Sequence, residues 1–181
     1  MSGVSARLEG LIGALRPRQV AVIGDVMLDH YITGKVERLS PEAPIQVLDV
    51  QDEYKAPGGA SNVAMKVVEL GSKVRMVGLV GDDVGARELR DLLASHPGVT
   101  DDLIADPQRN TTVKTRLIAQ NQQLLRVDRE RRGAPDPEVR ARLARATPDA
   151  VREVDAVILE VYGKGVLSQE VVAAAIDAAK V

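Results

Sequence analysis

Two spacings of apolar residues alternate along this chain, one helical and one extended. Leu8, Leu11, Ile12 and Leu15 share one face of a helix predicted over Ser5–Leu15, which Pro17 ends. Val20-Ala21-Val22-Ile23 is a continuous apolar run stopped at Gly24, the pattern of a strand buried on both faces. Tyr31–Glu37 and Ile45–Gln51 mix apolar with polar positions and predict half-exposed strands, separated by a turn that Pro41 and Pro44 stiffen. Pro57-Gly58-Gly59 then opens a helix over Ala60–Leu70, with Gly71 as its C-cap. A buried strand over Val74–Val80 and a helix over Val84–Ser95 follow. Thr111–Ala119 and Gln122–Asp128 alternate apolar and polar residues and predict a hairpin turning at Gln120-Asn121. Pro137–Val151 reads as a helix, Ala156–Leu159 as a strand, and Ser168–Lys180 as an Ala-rich helix.

Strands alternating with helices predict an α/β fold with a mostly parallel central sheet covered by helices. The half-polar strands near 31–52 and 112–128 do not suit that sheet and predict a small second one. The sequence stops at Val181 directly after a βα unit, where a doubly wound sheet normally continues, so a fragment truncated at its C-terminus is expected.

Composition narrows the chemistry. The 181 residues are 45% hydrophobic and 28% charged, ordinary for a globular protein. With no cysteine, disulfides, thiol nucleophiles and Cys-ligated metals are excluded. The two histidines are too few for a histidine-rich metal site, and no Gly-x-Ser-x-Gly elbow is present. A net charge of −2 and only three aromatic residues, all tyrosine, give no reason to expect nucleic acid. No apolar run approaches the ~20 residues of a membrane span, and residues 1–18 lack a secretory-signal layout. A soluble cytoplasmic protein without a membrane partner is expected.

The candidate chemistry lies at the ends of the predicted strands, where open α/β sheets gather their ligands. Asp25 and Asp29 follow the first strand and suit sugar hydroxyls, or serve simply as turn and cap residues. The single Gly24 there excludes a dinucleotide fingerprint. Gly58 and Gly59 allow close backbone approach to a ligand at a helix N-terminus, and Asn62 offers both donor and acceptor; a plain structural turn is the alternative. Lys114 and Arg116 stand at i and i+2 on one face of a strand, which suits a phosphate or an edge-protecting charged face. Arg129, Arg131 and Arg132 read as an exposed turn run. Asp83 reads as a helix cap, and His30 and His96 as packed or helix-end residues.

In this order, Gly24-Asp25-Val26-Met27-Leu28-Asp29, Leu39-Ser40-Pro41-Glu42-Ala43-Pro44, Pro57 to Ala64, Asn121 to Arg126 and Tyr162-Gly163-Lys164-Gly165 resemble the ribokinase-like (PfkB) carbohydrate kinases. Within that family they are most similar to the heptose 7-phosphate kinase branch. The resemblance implies a ribokinase-like sandwich with a β-sheet lid and ATP-dependent phosphorylation, with Mg²⁺, of the anomeric hydroxyl of heptose 7-phosphate. It implies that Asp29, Gly58, Gly59 and Asn62 hold the sugar and that Lys114 and Arg116 meet its 7-phosphate. It also implies a possible homodimer through the lid strands.

Two departures matter. The family's Gly-Ala-Gly-Asp segment, which supplies the base and an anion cradle, is absent, as is its Asn-x-x-Glu segment. Gly133-Ala134-Pro135-Asp136 is no substitute, because Pro135 has no N–H. Glu160-Val161 stands where close relatives carry Ser-Asp. No catalytic base and no metal ligand are therefore assigned in this chain, and inactivity in isolation is expected. A non-catalytic sugar-phosphate-binding or assembly module, and one half of a split kinase lacking its C-terminal half, stay open beside the kinase reading.

Overall fold

A computed structural model describes residues 7–11 and 17–180. Residues 7–11 are helical; the rest of the helix predicted over Ser5–Leu15 lies outside the described residues. The core is a four-stranded sheet in the order β10-β1-β4-β6, built from β1 (Gln19–Gly24), β4 (Lys73–Val77), β6 (Val99–Asp101) and β10 (Ala156–Glu160). All its pairs are parallel.

Alternation along β1 sorts the core into two layers. Val20 and Val22 point to one face and pack with Ala64 and Met65 of α1 (Ala60–Glu69) and Leu89 and Leu93 of α2 (Val84–Ala94). Ala21 and Ile23 point to the other, against Val139 and Leu143 of α3 (Pro137–Val151) and Val171 and Ala175 of α4 (Gln169–Ala179). Full burial of such branched side chains, at roughly 1.5–3 kcal/mol each, makes these two layers the main source of stability. Helix starts follow their caps: Asp83 accepts from Ala86 N–H, Asp136 from Glu138 N–H ahead of Pro137, and Ser168 from Val171 N–H.

A second four-stranded sheet, order β3-β2-β8-β9, consists of β2 (Val26–Leu39), β3 (Gln46–Gly59), β8 (Val113–Ala119) and β9 (Gln122–Arg129). β2–β3 and β8–β9 are antiparallel hairpins, and β2 joins β8 in parallel. Gln120 and Asn121 turn the second hairpin with φ of 51° and 61°, the left-handed geometry that matches strand twist.

Three boundaries differ from expectation. The strands near 31–52 are longer: β2 begins at Val26 and β3 runs to Gly59, so Asp29 and Pro57-Gly58-Gly59 are strand residues and not loop or turn. Cross-strand pairing of Val26 with Gly59 and Met27 with Gly58 overrides the local turn signal. Pro57 is tolerated because β3 is an edge strand, where a missing N–H costs little. The strand predicted over Val74–Val80 breaks at Gly78 into β4 and β5 (Leu79–Val80), and β5 leaves to pair with β7 (Ile104–Ala105).

Candidate functional site

Asp25 joins the two sheets. Its carboxylate is 2% exposed and accepts three backbone N–H bonds, from Tyr162 at 2.8 Å, Lys164 at 3.0 Å and Val166 at 3.3 Å. Its carbonyl accepts from Ala60 N–H, the first residue of α1. Asp25 is thus the post around which residues 161–166 wind. That loop lines a cavity of about 320 Å³ together with Asp25 itself, Gly133, Ala134 and Arg140, and Val161 of its lining is 69% exposed.

Alternation in the outlying sheet places Asp29 and Tyr31 of β2 with Lys114 and Arg116 of β8 and Arg126 and Asp128 of β9 on a single face. Arg116 Nη1 donates to Asp29 Oδ1 at 2.7 Å, and the two side chains are 20% and 18% exposed. Burial is the largest single influence and works against the Arg116 charge, but the bond to Asp29 together with the charges of Asp29, Tyr31 and Asp128 holds the guanidinium above its ordinary value. The guanidinium also lies over the Tyr31 ring, 5.1 Å from its centroid, and Tyr31 stacks on Tyr54 at 4.7 Å.

Lys114 donates to Asp128 at 2.8 Å and stands 3.7 Å from Glu130. Asp128 also accepts from Arg126 Nε and Nη2, and these bonds, led by that from Lys114, depress its carboxyl. Glu130 continues the chain of charges to Lys164 at 2.5 Å and Arg132 at 2.7 Å. Those two cations pull its carboxyl down to about 2. The expected phosphate pair therefore shares one face, as its spacing predicted, but each cation already faces a carboxylate.

Gly58 is buried on that same face. A β-carbon there would come within 2.5 Å of Asp29 Oδ2, so the glycine is what leaves the carboxylate room. Gly59 takes φ of 56°, and a side chain there would press on the Asp25 carbonyl. Ser61, buried in the first turn of α1, donates to the Gly58 carbonyl at 2.6 Å and fixes the peptide beside Asp29. Sequence reasoning passed over Ser61, though a small hydroxyl three residues after a glycine at a helix start is the available signal. Asn62 is exposed one position on, its amide unpaired among the described residues. Asp29, Gly58, Lys114 and Arg116 thus come together; Gly59 and Asn62 stand at the adjoining strand-to-helix corner.

His30 points to the opposite face of β2, where it bonds Glu53 at 2.6 Å and Thr115 at 3.3 Å. Asp83 is a cap, as expected, and also accepts from Thr111. Of the arginine run, Arg131 donates to the Gln108 carbonyl and Arg132 to Glu130, so these residues brace the turn. Among the described residues no three His, Asp or Glu side chains are disposed to hold a metal ion, so no ligand set for Mg²⁺ is assigned. Among them also, no helix is long and apolar enough to cross a membrane.

The chain is similar to several known proteins. The chain is 48% identical over 162 residues to the bifunctional protein HldE of Azorhizobium caulinodans, covering 89% of this chain and 34% of that protein. It is 44% identical over 153 residues to HldE of Helicobacter pylori, covering 84% and 33%. It spans about a third of the length of these curated relatives. In structure it resembles the tetrameric inhibited form of phosphofructokinase-2 from Escherichia coli, with a TM-score of 0.65 at 18% identity, over 91% of this chain and 53% of that one. Residues 17–181 match the pfkB family of carbohydrate kinases, and the chain belongs to that family.

Proposed function

We propose that this chain is the sugar-binding, lid-bearing part of a kinase that phosphorylates heptose 7-phosphate at its anomeric hydroxyl, using ATP and Mg²⁺. The observation that carries the reading is the single face on which Asp29, Gly58, Lys114 and Arg116 converge. A carboxylate in a glycine-lined notch accepts sugar hydroxyls, and two cations on the neighbouring strand meet a phosphate. Asn62 supplies a further donor and acceptor at the corner, and Gly59 lets the backbone turn into it. The motif resemblance to heptose 7-phosphate kinases and the identity to HldE proteins support the substrate.

The outlying sheet acts as the lid over the sugar. The 181 residues contain no Gly-Ala-Gly-Asp base segment, so in isolation they bind the sugar phosphate without phosphoryl transfer; a C-terminal half supplies the nucleotide site. Two lids pair in a homodimer. The test is calorimetric titration of the purified protein with D-glycero-D-manno-heptose 7-phosphate, without nucleotide, beside Asp29→Ala. Saturable binding that the variant loses is expected. No heat from a demonstrably folded protein would refute the heptose assignment.

A further inference from the structure

We infer that Asp29 and Arg116 form an exchangeable ion pair that makes the site demand a phosphate and a hydroxyl on one and the same ligand. The inference rests on the sugar-phosphate reading above and adds to it the device by which the phosphate becomes obligatory.

Each charge is satisfied by the other, at 2.7 Å, in surroundings that leave about a fifth of either side chain exposed. A neutral sugar that takes Asp29 leaves Arg116 without its carboxylate. A free phosphate that takes Arg116 leaves Asp29 without its cation. Stranding one partner of a largely desolvated pair costs more than the pair itself contributes. A sugar phosphate avoids both losses, since its hydroxyls donate to Asp29 while its phosphate oxygens accept from Arg116. The Tyr31 ring, backed by Tyr54, gives the guanidinium a surface on which to turn once the carboxylate lets go.

Lys114 is placed differently. It shares Asp128 with Arg126, whose Nε and Nη2 stand 2.9 and 3.0 Å from that carboxylate. Asp128 therefore stays paired when Lys114 turns away. Lys114 is free to meet any anion and contributes affinity, whereas Arg116 is released only by a ligand that also supplies hydroxyls. Arg116 is the specificity-determining residue of the two.

The test titrates the wild-type protein, R116Q, R116K and D29N with D-glycero-D-manno-heptose 7-phosphate, the same heptose without phosphate, and inorganic phosphate. Wild type is expected to prefer the heptose phosphate over either half by about 100-fold or more, and R116Q to cut that preference to about tenfold. The distinctive result is a gain: R116Q should bind unphosphorylated heptose several-fold more tightly than wild type, and D29N should do the same for inorganic phosphate. R116K keeps the charge but not the planar fork, and should shift in the same direction by less; it carries the test if R116Q does not fold. Unchanged or weaker binding of unphosphorylated heptose by the Arg116 variants, with wild type binding the heptose phosphate, overturns the exchange alone. Failure of wild type to bind the heptose phosphate overturns the sugar-phosphate reading and the exchange with it.

Discussion

Gly58, paired with Met27 across β2–β3, lies diagonal to Asp29 on the same face and leaves no room for a β-carbon beside that carboxylate. The groups in the way are side chains, the end of Asp29 first and Met27 Cγ at 2.9 Å beside it, which can shift. The neighbouring Gly59 faces the Asp25 backbone, which cannot, and its φ is positive. Gly58→Ala is therefore expected to weaken heptose 7-phosphate binding about tenfold or more, while changing stability by about 1 kcal/mol at most. Gly59→Ala should cost about 2 kcal/mol of stability in a urea titration. Equal stability losses for the two variants would contradict this division.

Asp25 carries the loop after β10 on three N–H bonds, and Asn cannot replace it, because one of its two oxygens would become an NH₂ group facing donors. Asp25→Ala and Asp25→Asn are both expected to lose about 3 kcal/mol or more. The accompanying sign is faster amide hydrogen exchange at Tyr162, Lys164 and Val166, with the amides of β4 unaffected at low denaturant.

Glu130 links the exit of β9 to Lys164, and its carboxyl titrates near 2 in the folded protein against an ordinary value of 4.5. A carboxyl depressed by folding stabilises the protein above its unfolded value and loses that contribution as the pH falls through the folded one. Glu130→Gln should therefore be less stable than wild type at pH 7, and the gap in denaturation midpoint should narrow as the pH is lowered from 5 towards 2. A gap independent of pH would mean that Glu130 acts through packing and not through charge.

The side of the outlying sheet opposite Asp29 carries a row of apolar residues across three strands: Ile32 of β2, Leu117 of β8 and Leu125 of β9. Leu125 and the nearby Val127 are about half exposed. If two lids pair through this face, Leu125→Lys with Val127→Lys should halve the mass measured by light scattering while leaving the circular dichroism unchanged. A wild-type mass of one chain would remove the dimer.

The elements were legible where local chemistry and tertiary demand agree. Pro137–Val151 begins and ends as predicted because Asp136 caps it and Pro137 suits its first turn. The hairpin at Gln120-Asn121 was legible from polar turn residues between alternating strands. The β2 start was hidden because Val26-Met27-Leu28 looks like a loop after Gly24, and only pairing with Gly58 and Gly59 makes it a strand. Asp29, Lys114 and Arg116 could be named from spacing and resemblance. That Arg116 binds Asp29, and that Asp25 faces inward, depended on register between segments far apart in the chain.

That separation has a consequence for how the protein is made. Asp29 and Arg116 lie 87 positions apart, and β2 pairs with β8 only after two helices and several core strands have intervened. As the polypeptide leaves the ribosome, β3 is available to β2 long before β8 is, and until β8 is made one edge of β2 has no partner. Contacts this distant in sequence close late and slowly. During that interval the open edge is a place where two nascent chains can join wrongly. The sheet that carries the candidate site thus also carries an edge that stays open until late in synthesis.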